Sequence, residues 1–145
     1  MTTPHVPLAY KAPDEQPDNI PFWQAAREGR LLVKVCESCG KPHWYPRVLC
    51  PFCMGNTAWK EASGRGTIYA FSVTRRAGPN PFCIAYVTLE EGVSMMTHIV
   101  DCDLDSVRIG QKVQVRFSPS EGGAPVPTFT LARCLPPSTQ LPLIP

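Results

Sequence analysis

The residues with the clearest chemistry are Cys36, Cys39, Cys50 and Cys53, in the run CESCGKPHWYPRVLCPFC. They form two Cys-x-x-Cys pairs with ten residues between them. Each pair can make a knuckle, a tight turn that aims two sulfurs at one point, and Gly40 after the first pair suits a turn that needs positive φ. Four thiolates converging in this way favour a tetrahedral, thiophilic ion, with zinc as the default. Such a site has no open coordination position, so its chemistry is structural. An iron site of the rubredoxin kind uses similar knuckles, and the spacing does not separate the two metals.

Two disulfides are the competing use of these cysteines. They require an oxidising compartment, yet the N-terminal run MTTPHVPLAYKAPDEQP has no apolar segment of the secretory kind. The chain has seven cysteines, an odd number that fits a reduced interior better. Cys83, Cys102 and Cys134 stand apart in apolar or mixed stretches and read as small buried hydrophobes. No apolar run approaches the ~18 residues of a membrane span. A soluble cytoplasmic protein without membrane contact is the expectation.

Other constellations are weak. His43 could stand in for a cysteine ligand, but four thiolates already complete a site, so it reads as a surface or second-layer residue behind the metal. His5 lies in an arm, and His98 reads as an alternating strand residue. Asp101, Asp103 and Asp105 have metal-like spacing but lack the glycine and closing glutamate of a calcium loop, and read as a solvated connection. There is no Ser-His-Asp order, no Gly-x-Ser-x-Gly and no phosphate loop. No catalytic residue is assigned and independent catalysis is not expected.

The elements that must carry the knuckles follow from local pattern. The chain of 145 residues, 43% hydrophobic and 18% charged, suits one folded domain or one domain with a small module. Residues 1–18, with four prolines, read as an extended arm, loose or laid along a partner. Residues 20–28 read as a short helix with Asn19 as N-cap, Pro21 in the first turn and Gly29 as the stop. Its Phe22 and Trp23 pin the helix to the fold, or one of them docks into another subunit, and the two roles are compatible. Residues 30–35 read as a strand entering the first knuckle, Trp44 and Tyr45 as cover for the metal, and 57–60 as a returning strand. The division is thus 1–18 arm, 19–60 helix and metal module, 61–132 barrel and 133–145 proline-rich tail.

From residue 61 the pattern is all β. Strands are expected at 67–74, 84–89, 93–100, 112–117 and 128–132, with Tyr69, Phe71 and Val73 on one face of the first. Five even strands without a long helix suggest a small closed barrel, and the OB-fold fits. Both zinc ribbons and OB-folds bind single-stranded nucleic acid, with Tyr69, Phe71, Arg75 and Arg76 as a conceivable surface. The net charge of +2 argues against that alternative.

The ordered set Phe22-Trp23, Gly29-Arg30-Leu31, the knuckles with Pro46-Arg47 between them, Gly64-Arg-Gly-Thr67-Ile-Tyr69, Leu89-Glu-Glu-Gly92 and Ile109-Gly110 before Val113 resembles a known family. These are the acyl-CoA-associated OB-fold proteins with an N-terminal rubredoxin-like zinc ribbon, the domain of unknown function thirty-five family. The likeness runs over residues 19–132. It implies a mainly β fold, a helix and zinc ribbon before a five-stranded OB barrel. It also implies structural Zn²⁺ on Cys36, Cys39, Cys50 and Cys53, and an accessory role beside a thiolase-like, aldolase or acyltransferase subunit in a hetero-oligomer. On that reading Phe22 and Trp23 are partner-docking candidates. Arg47, Arg65, Arg75 and Arg76 are candidates for the phosphates of coenzyme A (CoA), and Tyr69 and Phe71 for its acyl or pantetheine channel.

Overall fold

A computed structural model describes residues 9–76 and 80–132. In chain order the elements are β1 (Tyr10–Lys11), α1 (Ile20–Arg27), β2 (Leu32–Cys36), β3 (Pro42–His43), β4 (Thr57–Glu61), β5 (Arg65–Thr74), β6 (Phe82–Leu89), β7 (Ser94–Ile99), a 3-10 turn (Leu104–Ser106), β8 (Lys112–Ser118), β9 (Ser120–Glu121) and β10 (Val126–Leu131). No helix among the described residues is long and apolar enough to cross a membrane.

Helix α1 is short, and its ends explain why it holds. At the C-terminus Gly29 takes φ 79°, its N–H donates to Ala26 O, and the N–H of Arg30 donates to Ala25 O. These are the paired bonds of a Schellman ending, which needs a residue at ease in the left-handed region. The N-terminus differs from expectation. Asn19 occupies the cap position, but its side chain makes no cap hydrogen bond to the helix. Its Oδ1 instead accepts the Gln16 N–H, and its Nδ2 donates to Asp14 O, so the amide ties down the approaching chain.

The arm is correspondingly anchored on this chain from residue 9 onward. β1 pairs in parallel with β9, Tyr10 opposite Ser120 and Lys11 opposite Glu121. Glu15 makes a two-pronged ion pair with Arg27 of the helix. Pro4, Pro7, His5, Cys134 and the proline-rich tail lie outside the described residues.

β2, with β3 and β4 on its two sides, makes a three-stranded antiparallel sheet. The second sheet closes in the order β10-β7-β6-β5-β8 and back to β10, with only the β10–β7 contact parallel. All five expected barrel strands are present. One buried cluster joins the two parts, running from Phe22, Ala25, Leu31, Leu32 and Val33 through Ile68, Val87 and Ile99 to Phe129. The helix and the root of the ribbon are therefore packed onto the barrel as one core.

The expected face of β5 is corrected by a bulge. The register against β6 shifts between Ile68 and Ala70. Before it Gly66 and Ile68 point inward, and beyond it Phe71 and Val73 pack against the core, while Tyr69 is left outside and 70% exposed. One extra residue inverts the side-chain alternation, so Tyr69 does not share a face with Phe71. Gly66 has its own constraint: a Cβ there would sit 2.7 Å from Thr88 O and 2.7 Å from Val87 Cγ1.

Candidate metal centre

The two knuckles are built alike. After Cys39, Gly40 has φ 75° and its N–H donates to Cys36 O; after Cys53, Met54 has φ 64° and its N–H donates to Cys50 O. The N–H groups of Ser38 and Cys39 point at Cys36 Sγ at 3.3 Å each, and that of Phe52 at Cys50 Sγ at 3.4 Å. These donors stabilise thiolates. The Cys39 N–H above all, with the Ser38 N–H, draws the Cys36 thiol down to about 6.

All four Sγ atoms lie within 4.8 Å of one another, and no other described residues gather as such a cluster. Cys36 and Cys53 sulfurs are 3.4 Å apart, and Cys39 and Cys50 sulfurs 3.7 Å. A tetrahedral zinc with bonds of about 2.3 Å sets its sulfurs about 3.8 Å apart, so the donor set and its spacing fit the ion. Cys36 and Cys50 are buried, Cys39 and Cys53 exposed. Bound there, zinc supplies cross-linking and leaves no coordination position for substrate.

The aromatic residues near the ribbon divide. Phe22 is 3% exposed and stands edge-on to Trp23, with Trp44 and Trp59 close by at centroid distances of 5.3 and 6.4 Å. It is a core residue of this chain, and Trp23 is half-buried against the same core. Trp44 also packs there, whereas Tyr45 is exposed. Lys34, missed in the sequence, lies buried in β2 with its ammonium 4.5 Å from the Trp59 ring centre, opposite it in register. Only a charged residue in an otherwise apolar strand hinted at it.

His43 is buried rather than on the surface, and its Nε2 accepts the Arg47 N–H at 3.2 Å. It braces the loop between the knuckles. Burial, together with the charge of Lys34, lowers its pKa from the ordinary value. Its neutral form is therefore favoured in the fold, and that stability is complete above about 6.5 and lost as pH falls through the lower folded value. We expect His43→Gln, whose amide oxygen can still accept the Arg47 N–H, to lose less stability than the parent between pH 7 and 5.5 in urea titrations.

The four candidate arginines do not converge. Arg47 is exposed in the ribbon loop. Arg65 opens β5 and pairs with Glu90, while Arg75 lies just past its end and pairs with Asp105 at 2.5 Å; Arg76 follows, exposed. Ten strand residues separate those ends by about 30 Å. Asp103 accepts the Asp105 N–H at the 3-10 turn and Asp101 pairs with Arg116, so the three aspartates serve local structure. Cys83 is buried, as expected, and burial pushes its thiol up to about 11.

What sequence reading missed is the tip of the ribbon. Tyr45, Val48, Leu49, Phe52 and Met54 are all exposed, between 42% and 67%. The available signal was five apolar residues in ten positions around Pro46 and Pro51, on a segment already held by metal.

Fold and site together define a zinc ribbon joined to an OB-fold barrel. Two family models match in sequence, the rubredoxin-like zinc ribbon domain of ChsH2 over residues 23–59 and the C-terminal OB-fold domain of ChsH2 over residues 59–118. A DUF35 domain-containing scaffold protein of Methanocaldococcus jannaschii is 35% identical over 103 residues, covering 66% of this chain and 73% of that one. The chain belongs to the DUF35 family. It is also 30% identical over 118 residues to a protein of Thermomonospora curvata named a probable enoyl-CoA hydratase alpha subunit, covering 77% of this chain but only 37% of that longer one. Among solved structures, a chain of the Ltp2-ChsH2(DUF35) aldolase superposes with TM-score 0.72 at 28% identity, covering 83% of this chain and 98% of that chain.

Proposed function

We propose that this chain is a non-catalytic accessory subunit that docks onto a thiolase-like or related acyl-CoA enzyme, stabilises it and helps shape its acyl-CoA site. The observation that carries the reading is the apolar tip, Tyr45, Val48, Leu49, Phe52 and Met54, presented on a metal-held hairpin. Exposed apolar side chains gathered on a rigid element, with Lys41 over the Phe52 ring and Arg47 nearby, resemble the anchors and charged rim of a protein interface. The relatives add their names: scaffold proteins, an aldolase containing a DUF35 chain, and a hydratase subunit.

On this reading CoA is shared with the enzyme. Arg47 is the phosphate candidate that lies beside the docking tip, whereas Arg65 and Arg75 already hold carboxylates. Tyr69, outside the barrel, can touch a pantetheine arm; Phe71 packs against the core and can only back such a wall.

The test is capture of an acyl-CoA enzyme by the tagged chain from its source cells, with the captured protein identified by mass spectrometry. Phe52→Asp and Val48→Asp should each weaken the complex by about thirtyfold or more, as anchor residues do, and leave the melting temperature of the free chain nearly unchanged. Undiminished capture of the enzyme by both variants would remove the tip from the interface. Thioester turnover by the isolated chain at an enzyme-like rate would refute the non-catalytic reading itself.

A further inference from the structure

A second feature lies on the barrel, and neither the metal nor the ribbon tip uses it. β6 and β7 are the second and third strands of the barrel, and Ile84 and His98 face each other across them. With Met96, with Pro127 from β10, and with Tyr10 and Lys11 from β1, they line an open cavity of about 310 Å³ on the outer face of the barrel, whose walls are mainly hydrocarbon. That volume lies at the small end of the ~300–1,000 Å³ range of ligand sites. The cavity exists because the arm is strapped across the sheet: Tyr10 stands over it, and the close approach of Ala12 to Gly123 fixes the arm's course.

Its polar groups are few and held in place. Tyr10 Oη and His98 Nδ1 share a hydrogen bond of 3.0 Å, and the Phe82 ring lies 5.6 Å from the imidazole on centroids. The hydroxyls in the wall are already engaged, Thr97 donating to Pro127 O and Thr128 to Arg116 O. With His98 in the tautomer whose Nδ1–H donates to Tyr10 Oη, the Tyr10 hydroxyl proton is left to donate into the site, and Lys11 stands at the rim, so the site calls for an acceptor atom on the ligand.

The surrounding charge decides what kind of acceptor. Asp101 acts on Tyr10, adding to the burial that raises its pKa, and Glu121 stands opposite Lys11 in the β1–β9 register. A carboxylate entering the site would give up its water against mainly hydrocarbon walls, with Glu121 already opposite Lys11 and Asp101 already paired with Arg116. A carbonyl oxygen brings no charge to desolvate, and the rest of the volume asks for hydrocarbon. We propose that this cavity binds a small, neutral, mainly hydrocarbon molecule through a single carbonyl oxygen directed at Tyr10 and Lys11.

Three probes of matched size test this on the full chain without any partner, by amide NMR titration: acetophenone, ethylbenzene and benzoate. Acetophenone should give saturable shifts at Tyr10, Thr97, His98 and Thr128. Ethylbenzene should bind about tenfold more weakly, the worth of one good hydrogen bond, and benzoate more weakly still. Tyr10→Phe, which removes only the hydroxyl, should cost acetophenone about the same factor and leave ethylbenzene unchanged. Ile84→Phe, filling the cavity from β6, should abolish the shifts in a chain whose spectrum stays dispersed. Should Ile84→Phe misfold, the Tyr10→Phe comparison still decides. An absence of saturable shifts, acetophenone binding indifferent to Tyr10→Phe, or benzoate binding tightest would each overturn the proposal. None of these outcomes depends on whether an enzyme docks at the ribbon tip.

Discussion

Cys36→Ser is expected to strip the ribbon of its zinc and lower the melting temperature by about 10–20 °C, the shift that corresponds to roughly 3–5 kcal/mol in a chain of this size. The ribbon has little else to hold it. Its sheet consists of strands of five, two and five residues, and so small a sheet is marginal in water without a staple. The ion's binding energy is, in such modules, folding energy. Cys36 is also the last residue of β2, whose Leu32 and Val33 lie in the shared core. Loosening the knuckle therefore frays a strand that the barrel packs against. The same loss should follow from chelation of the parent protein, and the chelator should leave the variant's melt unmoved. Cys83→Ala is the control, a buried thiol outside the four-sulfur cluster whose replacement should leave one zinc per chain. A Cys36→Ser protein that retains zinc and melts with the parent would show that the ion is not what holds the ribbon.

That experiment probes the part of the molecule most legible in the sequence. Cysteine spacing is a direct record of coordination geometry, because a Cys-x-x-Cys turn brings two sulfurs to one ion without requiring knowledge of the tertiary fold. The barrel strands were nearly as readable, since a half-buried strand alternates by necessity. What defeated the pattern was local. A single extra residue at Tyr69 reverses the alternation along β5, and nothing in TIYAFSVT marks the bulge. Asn19 sits where a cap belongs, yet a proline-rich approach with its own unpaired groups competes for the amide, and the approach wins.

Burial was least legible around the metal. In an ordinary core an aromatic residue that is not buried has lost its main reason for being there, so Phe22, Trp23, Trp44 and Tyr45 were hard to sort by type alone. A metal-held loop breaks the usual inference. Because the ion supplies the stability, Tyr45, Val48, Leu49, Phe52 and Met54 need not be inside for the knuckles to form. The second knuckle shows the same freedom in its backbone: Met54 holds the left-handed conformation that Gly40 holds in the first. Residues relieved of a folding role in this way are those most open to selection for contact with something else, and that links the metal centre to the docking surface proposed here.

Phe22 is the opposite case, and its replacement separates the two roles that its position on a short helix allowed. Phe22→Ala should destabilise the free chain by about 3–5 kcal/mol, the cost of emptying a well-packed aromatic site. The ring is 3% exposed and touches three indoles, Trp23 on its own helix, Trp44 between the knuckles and Trp59 on β4. It is the point at which helix, ribbon loop and ribbon sheet meet, so the cavity cannot be closed by moving one element without disturbing the other two. Phe22→Leu, which keeps most of the volume, should recover more than half of the loss, and Trp fluorescence should report the repacking directly. A residue whose business was docking would behave otherwise: its truncation would leave urea unfolding of the free chain within about 0.5 kcal/mol of the parent and weaken only the complex. That second result would return Phe22 to the interface and imply that the helix swings away from the ribbon when the partner binds.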